Sequence, residues 1–316
     1  MAISREEALA REAVWQAEKE NPIEKSQTTT LPPILGCFLE AIRFLGGNPS
    51  VISRDSSYWV TRNELQEKLV KDFVPLIPDT KKQLSDDEFK GITSRVADEI
   101  NEFLAKEGFD IRLDQIGADE FGVASVLKVL VEWKEAGQET YLTIEGNNEK
   151  RYPAVRLSEK DWVTFYRNDI HSHPIARVET KSGDVVWMTI HPARTDTPFD
   201  VIEFSKKDKH QISEYNELVF PMVDYDQEVD ISWIQGLSLM GWRVVQALQQ
   251  TKFRMNEIGA KVESAAAMKL FRCITQHRRV FKIDGPMLLW IERPGLDMPL
   301  MSGIFTSDDW KKPEEL

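Results

Sequence analysis

Few residues of this chain combine a reactive type with a productive spacing. His171-Ser172-His173-Pro174 sets two imidazoles two residues apart, and Asp184 follows eleven residues after the second. Two histidines and a carboxylate can hold a zinc ion with a fourth position left open for water. The general base would come from upstream, where Glu132 and Glu145 are nominal candidates. The competing reading is a solvated histidine pair on one face of a strand, without a ligand. His191 and His277 have no nucleophile or orienting acid beside them in the sequence. The two cysteines, Cys37 and Cys273, form no ligand-spaced pair, and Cys37 sits in an apolar run as a buried thiol. Gly46-Gly47-Asn48 ends a helix rather than cradling a phosphate. Arg272, Arg278 and Arg279 are the basic residues of an otherwise mild polar loop, the side chains a trypsin-like protease would select.

The elements around these residues follow from punctuation and period. Residues 4–20 have a helical period with Ser4 as cap, and a polar linker leads from Asn21 to Thr30. Leu31-Pro32-Pro33 opens, and Gly46-Gly47 closes, a run that is apolar nearly all round, which predicts a central buried helix. Helices are predicted over 61–72 and 85–107, the second from Phe89, Ile92, Val96, Ile100 and Phe103/Leu104. Phe121 to Trp133 reads as a long central strand or as a buried helix; periodicity admits both. Strands follow at 154–157, 162–166, 175–179 and 185–190, with a hairpin turn at Ser182-Gly183-Asp184. The unbroken apolar run of Met287 to Ile291 reads as a strand buried on both faces.

Composition narrows the class further. A chain of 316 residues with 41% hydrophobic and 29% charged residues has the make-up of a globular protein. The net charge of −12 argues against nucleic acid and anionic membranes as partners. No apolar run approaches the roughly 18 residues that span a bilayer. The N-terminal residues carry no secretory pattern, so a cytoplasmic location is expected.

Two resemblances emerge from these residues. His171, His173 and Asp184 have a spacing similar to the metal site of the JAMM metalloproteases, although Lys181 stands where that pattern wants a serine. The larger resemblance is to the serpins. Glu257-Ile-Gly259, Glu263-Ser264-Ala265-Ala266-Ala267, then Phe281-Lys-Ile-Asp284-Gly-Pro286 and the strand after it resemble the hinge, reactive loop and C-terminal strands of that family. Pro33 to Leu45-Gly46 resembles its central helix, Val131-Glu-Trp133 the end of a central strand, and Asp230 to Gly241 a short helix that ends in Leu-Gly.

The resemblance implies an α+β fold in one domain over 1–316. Residues 1–120 are mainly helical and pack on a large mixed sheet, and 121–316 form sheets with a smaller second one and an exposed loop at about 259–280. It implies no catalysis and no cofactor. The partner would be a serine or cysteine protease, trapped when the loop is cleaved and inserted into the sheet. The scissile bond falls at Thr275-Gln276, with Arg272, Arg278 and Arg279 as alternatives. Lys261 and Glu263 in the hinge favour the other reading, a non-inhibitory binding or structural protein of the same fold. The departure from the family is length, since little chain precedes the central strand.

Overall fold

The computed structural model describes residues 25–144, 150–158, 160–169, 171–191, 197–259 and 279–314. The helix expected over 4–20 lies outside them. In chain order the elements are β1 (Gln27–Thr29), α1 (Leu31–Phe44), α2 (Pro49–Ile52), β2 (Trp59–Val60), α3 (Glu64–Lys68) and α4 (Ile77–Gln83). Then come β3 (Phe89–Ser94), α5 (Ala97–Lys106), β4 (Gly122–Leu127), β5 (Gln138–Leu142), β6 (Tyr152–Ser158), β7 (Val163–Arg167), β8 (Ile175–Glu179) and β9 (Val185–Ile190). The remainder is α6 (Asp200–Ser205), β10 (His210–Ile212), β11 (Glu217–Pro221), β12 (Val223–Val229), β13 (Ser238–Leu239), β14 (Trp242–Arg243) and β15 (Gln249–Met255). The last strands are β16 (Val280–Lys282), β17 (Met287–Glu292) and β18 (Met301–Phe305).

A seven-stranded sheet, ordered β1-β18-β17-β9-β8-β7-β10, is antiparallel throughout. It packs across the main core against a four-stranded sheet, β16-β11-β6-β5, which holds the one parallel pairing among the described ladders. β17 is buried on both faces, as its composition requires: Leu289 and Ile291 enter the main core while Leu288 and Trp290 face a second apolar layer. The β8–β9 hairpin turns where expected, with Gly183 at φ 88°. Two short ladders, β3–β4 and β12–β15, lie beside this body and carry the site described below.

α1 begins with proline in its first turn and ends before Gly46, at φ 74°, as read from the sequence. It forms the centre of a second core together with Phe73, Ile77, Phe199 and Ile234.

Three expectations need correction. Residues 85–107 are a strand and a helix rather than one helix. Phe89-Lys-Gly-Ile-Thr-Ser94 pairs in register with β4, and only Ala97–Lys106 coils. The β-branched Ile92-Thr93 favour the extended form, the mid-run Gly91 weakens a helix, and the paired β4 decides it. The helix expected from Asp230 to Gly241 is one 3-10 turn, Ser232–Ile234, followed by a two-residue hairpin. Met240 and Gly241 both take positive φ, 51° and 84°, the geometry of a tight primed turn. The histidine pair is not on a strand; it lies in the loop before β8, with His171 buried and His173 half-buried.

Candidate functional site: an open gap between two strand edges

β4 and β15 run side by side, and among the described residues each has one ladder partner, β3 and β12 respectively. The two strands converge at one end. There Glu132 bridges Gly259, Trp133 N donates to Ile258 O at 3.2 Å, and Gly137 N donates to Glu257 O at 2.7 Å. The Trp133 indole closes this head from below, donating to Asn256 O at 3.0 Å and meeting Phe220 edge-on. Glu257 lies beside Lys312 and Glu139, whose own ion pair spans 2.6 Å.

Gly259 is confined to glycine by two constraints. Its φ is 117°, and a Cβ there would stand 2.6 Å from Val131 O and 2.7 Å from Trp133 N. Gly259→Ala is therefore expected to cost about 3 kcal/mol, read as a melting temperature lower by about 6 °C. Gly183→Ala is the control, because its φ of 88° is strained but its Cβ meets nothing within 4 Å. Equal melting of the two variants would show that the head does not grip Gly259.

Below the head, a cleft of about 640 Å³ separates β4 from β15. Its floor is α1, through Ile34, Cys37, Phe38 and Ala41. The strands alternate as half-buried ladders do: Val123 and Ser125 turn towards α1, whereas Ala124 and Val126 pack on Ile100 and Leu104 of α5 across the ribbon. Thr30, Ser125 and Thr251 place hydroxyls in the walls with no hydrogen-bond partner. Burial pushes the Cys37 thiol up to about 12, so it lines the cleft as a neutral group.

Residues 109–116 cross the cleft on the side away from α1. Asp110 N donates to Gln250 Oε1 at 2.7 Å and Asp114 N to Gln246 Oε1 at 3.0 Å. The two glutamine amides donate back to the carboxylates of Asp110 and Asp114. Lys252 holds Asp110 at 3.0 Å and keeps its carboxyl below the usual range. The near end of this strap is tied to α5, where Leu113 and Asn101 exchange two hydrogen bonds of 2.8 and 3.0 Å. The cleft is thus a channel with a helical floor, two strand walls and a strap for a roof.

This combination is a large antiparallel sheet, a smaller sheet, and a pair of ladders parted over a central helix, with the described chain ending at the head and resuming at Arg279. Its chain path matches solved structures over nearly its full length. The thermophilic protein tengpin in its native state gives a TM-score of 0.56 at 11% identity, covering 97% of this chain and 95% of that one. Thyroxine-binding globulin in complex with thyroxine gives 0.52 at 10%, over 98% and 100%. The mouse protein-Z dependent protease inhibitor gives 0.50 at 11%, over 96% of each. The fold is that of a serpin. No family model and no curated relative matches the sequence. In this serpin fold Glu257 and Gly259, expected in the hinge, stand at the head of the gap. Glu263, Ala265, Ala266, Ala267, Arg272, Thr275, Gln276 and Arg278 lie outside the described residues. Arg279 is where the chain rejoins the body, its carbonyl accepting from Asn216 N and its guanidinium 3.5 Å from Glu214.

The alternative metal set does not assemble. Asp184 sits at the turn end of the β8–β9 hairpin and the histidines at the opposite end, about 20 Å away at strand rise. Its carboxylate is taken by Arg293, through two contacts of 2.8 Å, and the same guanidinium forks onto Glu88. Arg293 thereby pulls the Glu88 carboxyl down to about 2. Glu132 pairs with Lys181 at 2.9 Å, and Glu145 lies outside the described residues. Among the described residues no three His, Cys, Asp or Glu side chains gather as a metal site.

The histidines have a different consequence. His171 meets Thr189 Oγ1 at 2.9 Å, and burial pushes it down to about 3 and His191 to about 4. Both stay neutral in the folded state where the unfolded chain takes up protons near its ordinary value of about 6.5. Stability is therefore complete above pH 6.5 and falls as pH drops towards 4, by about 1.4 kcal/mol per pH unit for each histidine. His191→Gln is expected to flatten the fall in melting temperature across that window; an unchanged slope would remove His191 from the account.

Proposed function

We propose that this serpin-fold chain inhibits a serine or cysteine protease, inside the cell, by offering residues 260–278 as bait and taking them into the gap. The observation that carries the reading is the pair of unpaired strand edges, β4 and β15, facing each other below the point where the loop departs. A chain folding back after Gly259 would run antiparallel to β15, as β12 already does, and to β4, as β3 does. It would join two separate ladders into one five-stranded antiparallel sheet.

The sequence of the loop supports this. If Ala260 turns towards α1, so do Val262, Ser264, Ala266, Met268 and Leu270, all neutral and mostly apolar. Lys261, Glu263 and Lys269 then fall on the opposite face, where burying a charge is not required. The protease's nucleophile would attack the carbonyl carbon of Thr275, break its bond to Gln276 and release the new amine, leaving an ester or thioester on Thr275. Incubation with a panel of serine and cysteine proteases is expected to yield a protease-linked band that survives denaturation. Arg272, Arg278 and Arg279 are read out as alternative bonds by mass spectrometry of that band.

One observation favours the second reading, a non-inhibitory binding protein. The strap at 109–116 lies across the gap and is fixed by four hydrogen bonds to Gln250 of β15 and to Gln246 just before that strand. Clean cleavage of the loop with no linked band, for every protease that cuts there, would select it.

A further inference from the structure

Away from the gap, a second hollow of about 430 Å³ opens between the turn after α2 and the helical segment that begins with α3. We infer that it is a binding site for a small phosphomonoester with a hydroxylated body, of the sugar-phosphate class.

Its lining is cationic in an acidic protein. Arg54 and Lys71 both face it, and neither has a side-chain partner among the described residues. Two acids next to them in sequence are engaged elsewhere, and Glu67 shares the lining. Asp55 accepts from Ser57 N at 2.9 Å, and Asp72 pairs with Lys68, which also holds Glu203. Ser53 supplies the second and independent observation. It is 3% exposed, it belongs to the lining, and its buried hydroxyl has no hydrogen-bond partner among the described residues. A buried hydroxyl left unpaired costs free energy that a bound acceptor would recover.

Two cations and a donor hydroxyl suit a tetrahedral oxyanion, whose several acceptors take charge-assisted hydrogen bonds. A bare anion leaves most of this volume empty, because the hollow lies in the range of small-molecule sites. Thr61 and Glu67 on the lining supply a donor-acceptor and an acceptor for hydroxyl groups of a larger body. Glu67 also sets a limit, since a second phosphate beside it would be repelled.

Calorimetric titration of the full chain with ribose 5-phosphate, ribose and inorganic phosphate tests the assignment. Saturable binding of ribose 5-phosphate is expected, at least about tenfold tighter than either fragment. Arg54→Gln and Lys71→Gln should each weaken it about tenfold, equivalent to about 1.4 kcal/mol. Arg54→Lys should retain part of the affinity, and Lys181→Gln, at the β8–β9 turn, all of it. Thermal melting of each variant without ligand shows whether it is folded. Absence of saturable binding to the folded wild-type chain, or binding that Arg54→Gln and Lys71→Gln leave unchanged, would overturn the site.

Discussion

A single cut within residues 260–278 is expected to raise the melting temperature by about 10 °C or more, with the C-terminal fragment still attached. In a chain of this size each kcal/mol of added stability is worth about 2 °C, so that rise represents about 5 kcal/mol. The source is the two edges at the gap. Each presents a row of backbone donors and acceptors that no described strand satisfies, and an inserted strand would pair with both at once. Val262, Met268 and Leu270 would at the same time leave water for the cleft over α1. Before the cut, the loop is anchored at Gly259 and again at Arg279, whose carbonyl is held by Asn216, so its far end cannot travel down the gap. Cutting frees that end. Differential scanning of intact and nicked protein, with the cut mapped by mass spectrometry, measures the effect. A nicked form that melts at or below the intact one would eliminate insertion and leave the serpin fold as a scaffold for binding.

The parts of this structure legible in the sequence are those whose signal is local. Pro32-Pro33 and Gly46 mark the ends of α1, Ser182-Gly183-Asp184 marks a turn, and the run from Met287 to Ile291 marks a strand with no exposed face. Each rests on a few adjacent residues and their own backbone preferences. Glu257 and Gly259, expected in a hinge from the resemblance alone, stand at the head of the gap, and Gly259 has a physical reason to be glycine that only the contact with Val131 O and Trp133 N reveals. What escaped depends on distant partners. Phe89 to Ser94 has apolar spacings a helix would accept, and β4, more than 25 residues on, makes it a strand. His171 and His173 alternate as strand residues do, yet Phe204 of α6 packs on the His171 ring and helps bury it. Asp184 belongs to Arg293, 109 residues away, and not to the histidines eleven residues before it. The strap was invisible for the same reason: Asp110 meets Gln250 across 140 residues and Asp114 meets Gln246 across 132.

That strap is expected to set the rate of insertion. Gln246→Ala together with Gln250→Ala should speed the rise in stability after nicking by on the order of tenfold, without changing where the loop is cut. The reasoning starts from what the strap spans. It is fixed on one side to α5 by Asn101 and on the other by Gln250 of β15 and Gln246 just before that strand, so it ties together the two walls that must part to admit a strand. Its apolar side chains, Ile111, Leu113 and Ile116, pack on α5 and β4 rather than on β15. Removing the glutamines therefore loosens the β15 end and leaves the other end seated. Asn101→Ala provides the contrast, freeing the seated end while the clamp on β15 remains. If the strap only covers the gap from outside, the glutamine pair should leave the rate unchanged and lower the melting temperature of the intact protein slightly. If it must release for the walls to separate, the intact protein should melt slightly lower and the nicked protein should reach its final stability sooner. The time course of melting temperature after cleavage separates the two, because the first outcome shifts only its starting value and the second its slope.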